Sequence, residues 1–159
     1  MIRYEPIGTI YSPFTTPGGM PIQPAGAKDV QGRVELRPAY EEGLHDLEGF
    51  SHIFLVYHFH KVGGFDLTVT PFLDNNPHGV FSTRAPRRPN PVGLSVVRLL
   101  SRRENILYIE GVDVLDGTPL LDVKPYAPEF DAPESVRTGW MEKAGRKVEE
   151  QRADDRFNK

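Results

Sequence analysis

The chain has 159 residues, 38% hydrophobic and 26% charged, with 15 glycines, 15 prolines and no cysteine. That length and balance predict one globular domain. The absence of cysteine excludes a disulfide scaffold, a thiolate nucleophile and any cysteine-ligated zinc or iron–sulfur site. With a formal charge of −3, a polyanionic partner would have to be met by a local basic patch rather than by the whole chain. The longest apolar run, Ile53 to Tyr57, is far short of the roughly 20 residues of a membrane span. The first residues lack a basic-then-apolar signal pattern, so the expected setting is cytoplasmic, with no membrane partner.

Glycine and proline are spread along the chain, punctuating many short elements and predicting a mainly β domain. Residues 4–12 read as a first strand. Residues 13–31, which hold four prolines, read as a long loop of the kind that carries function. Arg33 to Arg37 alternate as a half-buried strand. Pro38 opens a short helix, because Tyr40, Leu44 and Leu47 recur on one face, and this helix should lie across one end or face of a barrel. Ser51 to Phe59 is rich in β-branched and aromatic residues and reads as a strand. A second proline-rich loop covers 71–91. Strands then follow at 94–102, 106–114 and Leu120 to Lys124, turned at Arg103-Glu104-Asn105 and Asp116-Gly117-Thr118. Consecutive hairpins of this kind predict an antiparallel meander. From Ala132 to Lys159 the chain carries six acidic and seven basic residues. Trp140 and Met141 are the expected anchor of that tail, and 142–156 reads as a solvated helix.

Three segments carry candidate chemistry. Six arginines and no acid lie from Asn75 through Arg103. Prolines 86, 89 and 91 fix backbone φ there, so Arg84, Arg87, Arg88 and Asn90 are presented in set directions, and a guanidinium suits bidentate carboxylate or phosphate recognition. A solvated basic loop is the bland alternative. The second segment runs from Asp113 to Tyr126. Its Asp116-Gly117 is turn chemistry, while Asp122, Lys124 and Tyr126 share a period-2 face. A carboxylate, an amine and a phenol could thus converge beside the arginine loop as a proton-transfer cluster, or stand exposed. The third is His52, His58 and His60 on one face of a strand. A histidine–metal enzyme is one reading, but no carboxylate accompanies them and Phe54 and Val56 make that face at least partly core, so a structural His58 and a His60 that meets a ligand or solvent fit better. Dinucleotide, Walker-type and nucleophile-elbow glycine motifs are all missing.

Pro6-Ile7-Gly8 with Ser12-Pro13, Gly43-Leu44 through Gly49-Phe50-Ser51-His52, Ser82-Thr83-Arg84 with Arg88-Pro89-Asn90-Pro91-Val92-Gly93, and Asp116-Gly117-Thr118-Pro119 with Asp122-Val123-Lys124-Pro125-Tyr126 together resemble the TsaA-like, TrmO-type family of tRNA adenine-N6-methyltransferases. The resemblance spans about residues 1–131 and leaves 132–159 as a charged, partly helical tail. It implies a small single-sheeted antiparallel β-barrel with a short helix, working as a homodimer that binds S-adenosyl-L-methionine and no metal. By the same resemblance, the cofactor pocket takes Pro21, Ile22, Gln23, His60, Lys61, Arg84, Leu94, Asp113, Val114, Leu115 and Asp116. Asp122, Lys124 and Tyr126 would then face the acceptor as positioning or base residues. Arg87, Arg88 and Asn90 would hold the tRNA anticodon loop. The implied reaction moves a methyl group to N6 of threonylcarbamoyl-adenosine beside the anticodon. A regulatory module that binds the cofactor, or a methyltransferase with a non-tRNA acceptor, is the alternative.

Overall fold

A computed structural model gives the fold and describes residues 1–18, 27–72 and 74–143. Its strands are β1 (Gly8–Tyr11), β2 (Gln31–Leu36), β3 (His52–His58), β4 (Thr68–Val69), β5 (His78–Gly79), β6 (Val92–Arg103), β7 (Ile106–Glu110) and β8 (Thr118–Pro125); one helical turn, α1 (Pro128–Asp131), follows. Six of them close into a barrel in the order β1, β2, β7, β6, β3, β8, every pair antiparallel. Alternation does the sorting: along β3 the odd residues Ile53, Leu55 and Tyr57 are buried while the even residues face outward. Ile10, Val34, Leu107, Ile109 and Leu120 complete the centre of the interior from the other strands.

The hairpin of β6 and β7 forms as the sequence predicts, but the meander ends there. β8 does not pair with β7; it crosses the barrel end and inserts between β1 and β3. The chain leaves the ladder at Gly111 (φ 92°) and re-enters after Gly117 (φ 81°), two left-handed positions that let it turn away from β7. Hence β7 stops at Glu110 rather than 114, and β8 begins at Thr118 rather than 120. β1 is also shorter than 4–12: only Ile7 still bonds on both sides, to Leu120 and Arg37, and Pro6 has no N–H to extend the ladder.

The two ends of the barrel differ. At one end the connection between β2 and β3 folds into 3-10 turns at Pro38–Leu44 and Leu47–Gly49, and Leu44 plugs the core. The expected helix is broken there because Asp46 is left-handed (φ 69°) between the two turns. At the other end lie the last residues of β1, β3 and β7 and the first of β2, β6 and β8, so the three connections 12–30, 59–91 and 111–117 open on one mouth. The second of these contains the small β4–β5 ladder over its own core of Val69, Val80 and Ala85. Beyond β8 the chain leaves from the plugged end. It nevertheless returns to the 59–91 connection, where Trp140 stacks on His78 at 4.7 Å and its Nε1–H donates to Ser82 O at 2.8 Å. The solvated helix expected at 142–156 lies almost wholly outside the described residues.

Gly93, paired with Tyr57 across β3 and β6, has no room for a side chain: a Cβ would stand 2.2 Å from Tyr57 Cε2 and 2.8 Å from Phe59 Cζ. Tyr57 is 4% exposed and cannot swing away. Gly93→Ala should therefore cost about 1–3 kcal/mol, read as a lowered urea midpoint with an unchanged slope.

Candidate functional site at the barrel mouth

A buried polar chain runs into the mouth. Ser95 Oγ–H donates to Asp113 Oδ1 at 2.7 Å, and Tyr57 OH lies 2.8 Å from Ser95 Oγ. Ser95 has one proton and gives it to the carboxylate, so Tyr57 donates to Ser95 and the chain ends on Asp113. Tyr57 comes from the inward face of β3, Ser95 from the inward face of β6, and Asp113 from the crossing between β7 and β8. Asp113 keeps partial exposure as a residue, but its carboxyl is enclosed. Burial pushes its pKa up to about 6, against the Ser95 hydrogen bond and the Arg84 charge, which pull it down. Burial also raises the Tyr57 phenol, helped by the Asp113 charge. Arg84, exposed on the 59–91 connection, thus faces both acidic groups.

The rest of the crossing is fastened to the start of the first long loop. Ser12 N–H donates to Asp116 Oδ1 at 3.0 Å, Ser12 Oγ–H to Val114 O, and Asp116 N–H to Phe14 O at 2.7 Å. At the other end of that loop, Gly111 N–H donates to Val30 O at 2.8 Å. Both roots of the loop that carries Pro21, Ile22 and Gln23 therefore lie on residues 111–116, although those three lie outside the described residues. Val114 is buried, Leu115 half-buried and Asp116 exposed.

His60 and Lys61 follow β3 into the same mouth. Burial lowers the His60 pKa, and the Lys61 and His58 charges lower it further, so its imidazole is neutral at pH 7. His52 and His58 stand at opposite ends of β3. Among the described residues no three side chains of metal-ligating type converge.

The other sequence-selected residues are divided. Arg87 is mostly buried and stands 3.6 Å from Asp66, with its Nε buried and without a partner. Arg88 fastens its own loop: Nη1–H donates to Thr83 O at 2.9 Å and Ala85 O at 3.1 Å. Asn90 is exposed. Leu94 is 49% exposed on the outer surface beside Val56, one residue from inward Ser95. Asp122, Lys124 and Tyr126 do share one face, the outer one. Lys124 Nζ lies 3.0 Å from Asp122 Oδ2, while Tyr126 packs edge-on against Phe54 and His52. That row runs down β8 toward the plugged end, away from Arg84 and Asp113. Tyr57 and Ser95 escaped the sequence reading, though a phenol and a hydroxyl at inward positions of apolar strands were the available signal.

A carboxyl whose folded pKa, about 6, exceeds the ordinary aspartate value of 3.8 binds more protons folded than unfolded between those values. Stability is then lost as pH rises through that window. Asp113→Asn keeps the acceptor for Ser95 and removes the buried charge. The variant should gain on the wild type by on the order of 2–3 kcal/mol between pH 4 and 7, measured by urea unfolding across pH; parallel curves would contradict the assignment.

Residues 9–132 match the family model described as the tRNA-methyltransferase O N-terminal domain. A probable S-adenosyl-L-methionine-binding protein of Pyrococcus abyssi is 58% identical over 99% of this chain and 85% of its own length. The human tRNA (adenine(37)-N6)-methyltransferase is 37% identical over 83% of the chain, which spans only 32% of that enzyme. The crystal structure of TrmO from Pseudomonas aeruginosa superposes with a TM-score of 0.75 at 39% identity, over 88% of this chain and 62% of that one. With its closed six-stranded barrel, the chain belongs to the family of the tRNA-methyltransferase O N-terminal domain.

Proposed function

We propose that the chain is an S-adenosyl-L-methionine-dependent methyltransferase that modifies tRNA at N6 of the adenosine beside the anticodon, in its threonylcarbamoylated form. The observation that carries this reading is the convergence, at one barrel mouth, of Asp113, Asp116, Arg84 and both roots of the 13–30 loop, in a chain whose relatives are named for that cofactor and that reaction.

The donor set fits the cofactor's chemistry. Its ribose diol and adenine edge call for acceptors, its amino-acid carboxylate for a guanidinium, and its ring for apolar surface. Asp113, ionised at pH 7 and oriented by Ser95, supplies one acceptor. Asp116 supplies another, since one oxygen already holding Ser12 N–H leaves a carboxylate with further capacity. Arg84 supplies the cation, and Val114 and Leu115 supply apolar contact, with His60, Lys61 and Pro21 to Gln23 completing the set. When bound, the cofactor supplies a methyl group on a sulfonium. The acceptor nitrogen would bond to that carbon as the carbon–sulfur bond breaks and the neutral thioether leaves, and it would have to give up a proton. We assign Asp122, Lys124 and Tyr126 to positioning the acceptor and receiving that proton, and Arg87, Arg88 and Asn90 to the anticodon loop.

The protein works as a cytoplasmic homodimer in this reading. Its support is the outer face of β3 and β6, where Val92 and Leu94 are 42% and 49% exposed next to half-buried Val56, an apolar stripe suited to a second copy.

The test is incubation with methyl-labelled S-adenosylmethionine and total tRNA from cells lacking the protein, followed by digestion and mass spectrometry. Label should appear on threonylcarbamoyl-adenosine. Arg84→Ala should abolish cofactor binding, whereas Lys124→Ala and Tyr126→Phe should each lower turnover about a hundredfold with cofactor binding intact. Full turnover in both would remove the catalytic assignment, and no labelled nucleoside with intact cofactor binding would favour a regulatory module. A monomer by light scattering would end the homodimer.

A further inference from the structure

The connection between β3 and β6 is more than a carrier for Arg84. It holds three large apolar side chains in solvent: Phe81 is 73% exposed, Leu67 62% and Phe65 51%. Leu67 lies beside the turn that carries Phe81, because Val80 N–H donates to Leu67 O at 2.9 Å next to the β4–β5 ladder. The Asp66–Arg87 ion pair at 3.6 Å ties the arginine loop to the same place.

Nor is Phe81 exposed through slackness. Its 3-10 turn, Val80–Ser82, is fixed from four directions. Val80 is buried in the small core, Thr83 Oγ1–H donates to Val80 O at 2.8 Å, Ser82 Oγ–H donates to Gly79 O at 2.8 Å, and Trp140 holds Ser82 O while stacking on His78. His78 is itself held by Asp74 at 2.6 Å. A turn locked this firmly, with its phenyl ring left in water, has the form of a contact surface rather than of a disordered loop.

We propose that Phe81 and Phe65 form a stacking surface for unpaired RNA bases, on the same connection that carries the arginines. Charge selects this occupant: between residues 60 and 92, Lys61, Arg84, Arg87 and Arg88 outnumber Asp66 and Asp74 by two in a chain whose net charge is −3. Exposed aromatic rings on a net-positive segment suit splayed-out, single-stranded bases, which stack on the rings while their phosphates meet the positive charge. A self-contact is better served by the separate stripe of Val92 and Leu94, which lies on the barrel wall. The inference rests on the tRNA reading above and names where the unpaired bases of the loop are held.

The test is fluorescence anisotropy of the full chain with a labelled RNA hairpin bearing a seven-base loop, with and without S-adenosylmethionine. Phe81→Ala should weaken RNA binding about tenfold and the double variant with Phe65→Ala further still. Phe81→Trp should restore it, while cofactor affinity, thermal midpoint and mass by light scattering stay at wild-type values. RNA binding within twofold of wild type in the double variant overturns the stacking surface and leaves the tRNA reading standing. A lower mass in Phe81→Ala overturns it in favour of a self-contact. Absence of salt-sensitive RNA binding by the wild type would remove the tRNA reading and this inference together.

Discussion

Closing six antiparallel strands into one barrel constrains where everything else can go. Strands alternate up and down, so each connection belongs to one end, and within the barrel order β1, β2, β7, β6, β3, β8 the connections 12–30, 59–91 and 111–117 share the same mouth. Closure also demands that β8 find an edge between β1 and β3, which forces residues 111–117 across that mouth. The crossing is therefore where the barrel's last hydrogen bonds are arranged and where Asp113 and Asp116 are delivered. The opposite end needs only a plug, and Leu44 on a pair of 3-10 turns supplies it.

The mouth holds an opposition that the rest of the interior lacks. Most of the barrel interior is aliphatic, yet Tyr57 and Ser95 bring two hydroxyls to the rim, and their hydrogen bonds run in one direction onto a carboxylate. Each polar group is satisfied by the next, which is the condition for keeping such groups out of water. The chain nonetheless terminates in a charge that burial resists and that Arg84 only partly offsets. A folded domain gains nothing from that arrangement by itself. The same enclosed carboxylate, aimed by Ser95, is suited to accept hydrogen bonds from a ligand that completes the enclosure.

Much of the barrel was legible because period-2 alternation is strong in its strands, but not which face of β3 turns inward: Phe54 and Val56 make the even face look partly core, whereas Ile53, Leu55 and Tyr57 are the buried residues. The β6–β7 turn was legible from Glu104-Asn105. What alternation cannot reveal is which strands pair, since β7 and β8 are separated by a turn-like Asp-Gly that looks like a hairpin and instead spans the barrel end. Ser95 and Tyr57 were hidden for a related reason: their role depends on Asp113, a long-range partner supplied by that crossing. Trp140 stands out as the anchor of a charged segment, but nothing local names its partner, His78, across the length of the barrel.

The bulge in β8 shows how one added residue redirects chemistry. Leu120 pairs with Tyr57 and Asp122 with Val56, so Leu121 and Asp122 together answer a single step of β3. Thr118 and Leu120 point inward; an unbroken alternation would have sent Asp122, Lys124 and Tyr126 inward after them. The register shift turns all three out, beside Val56, Phe54 and His52, where Lys124 meets Asp122 and Tyr126 rests on two rings. They share a face as their spacing implies, but that face is the barrel wall and not the mouth. Any acceptor that met both this row and Arg84 would have to lie along the outside of β8 and over the rim, an extended contact rather than a pocket. An RNA loop has that reach, and a small-molecule acceptor does not.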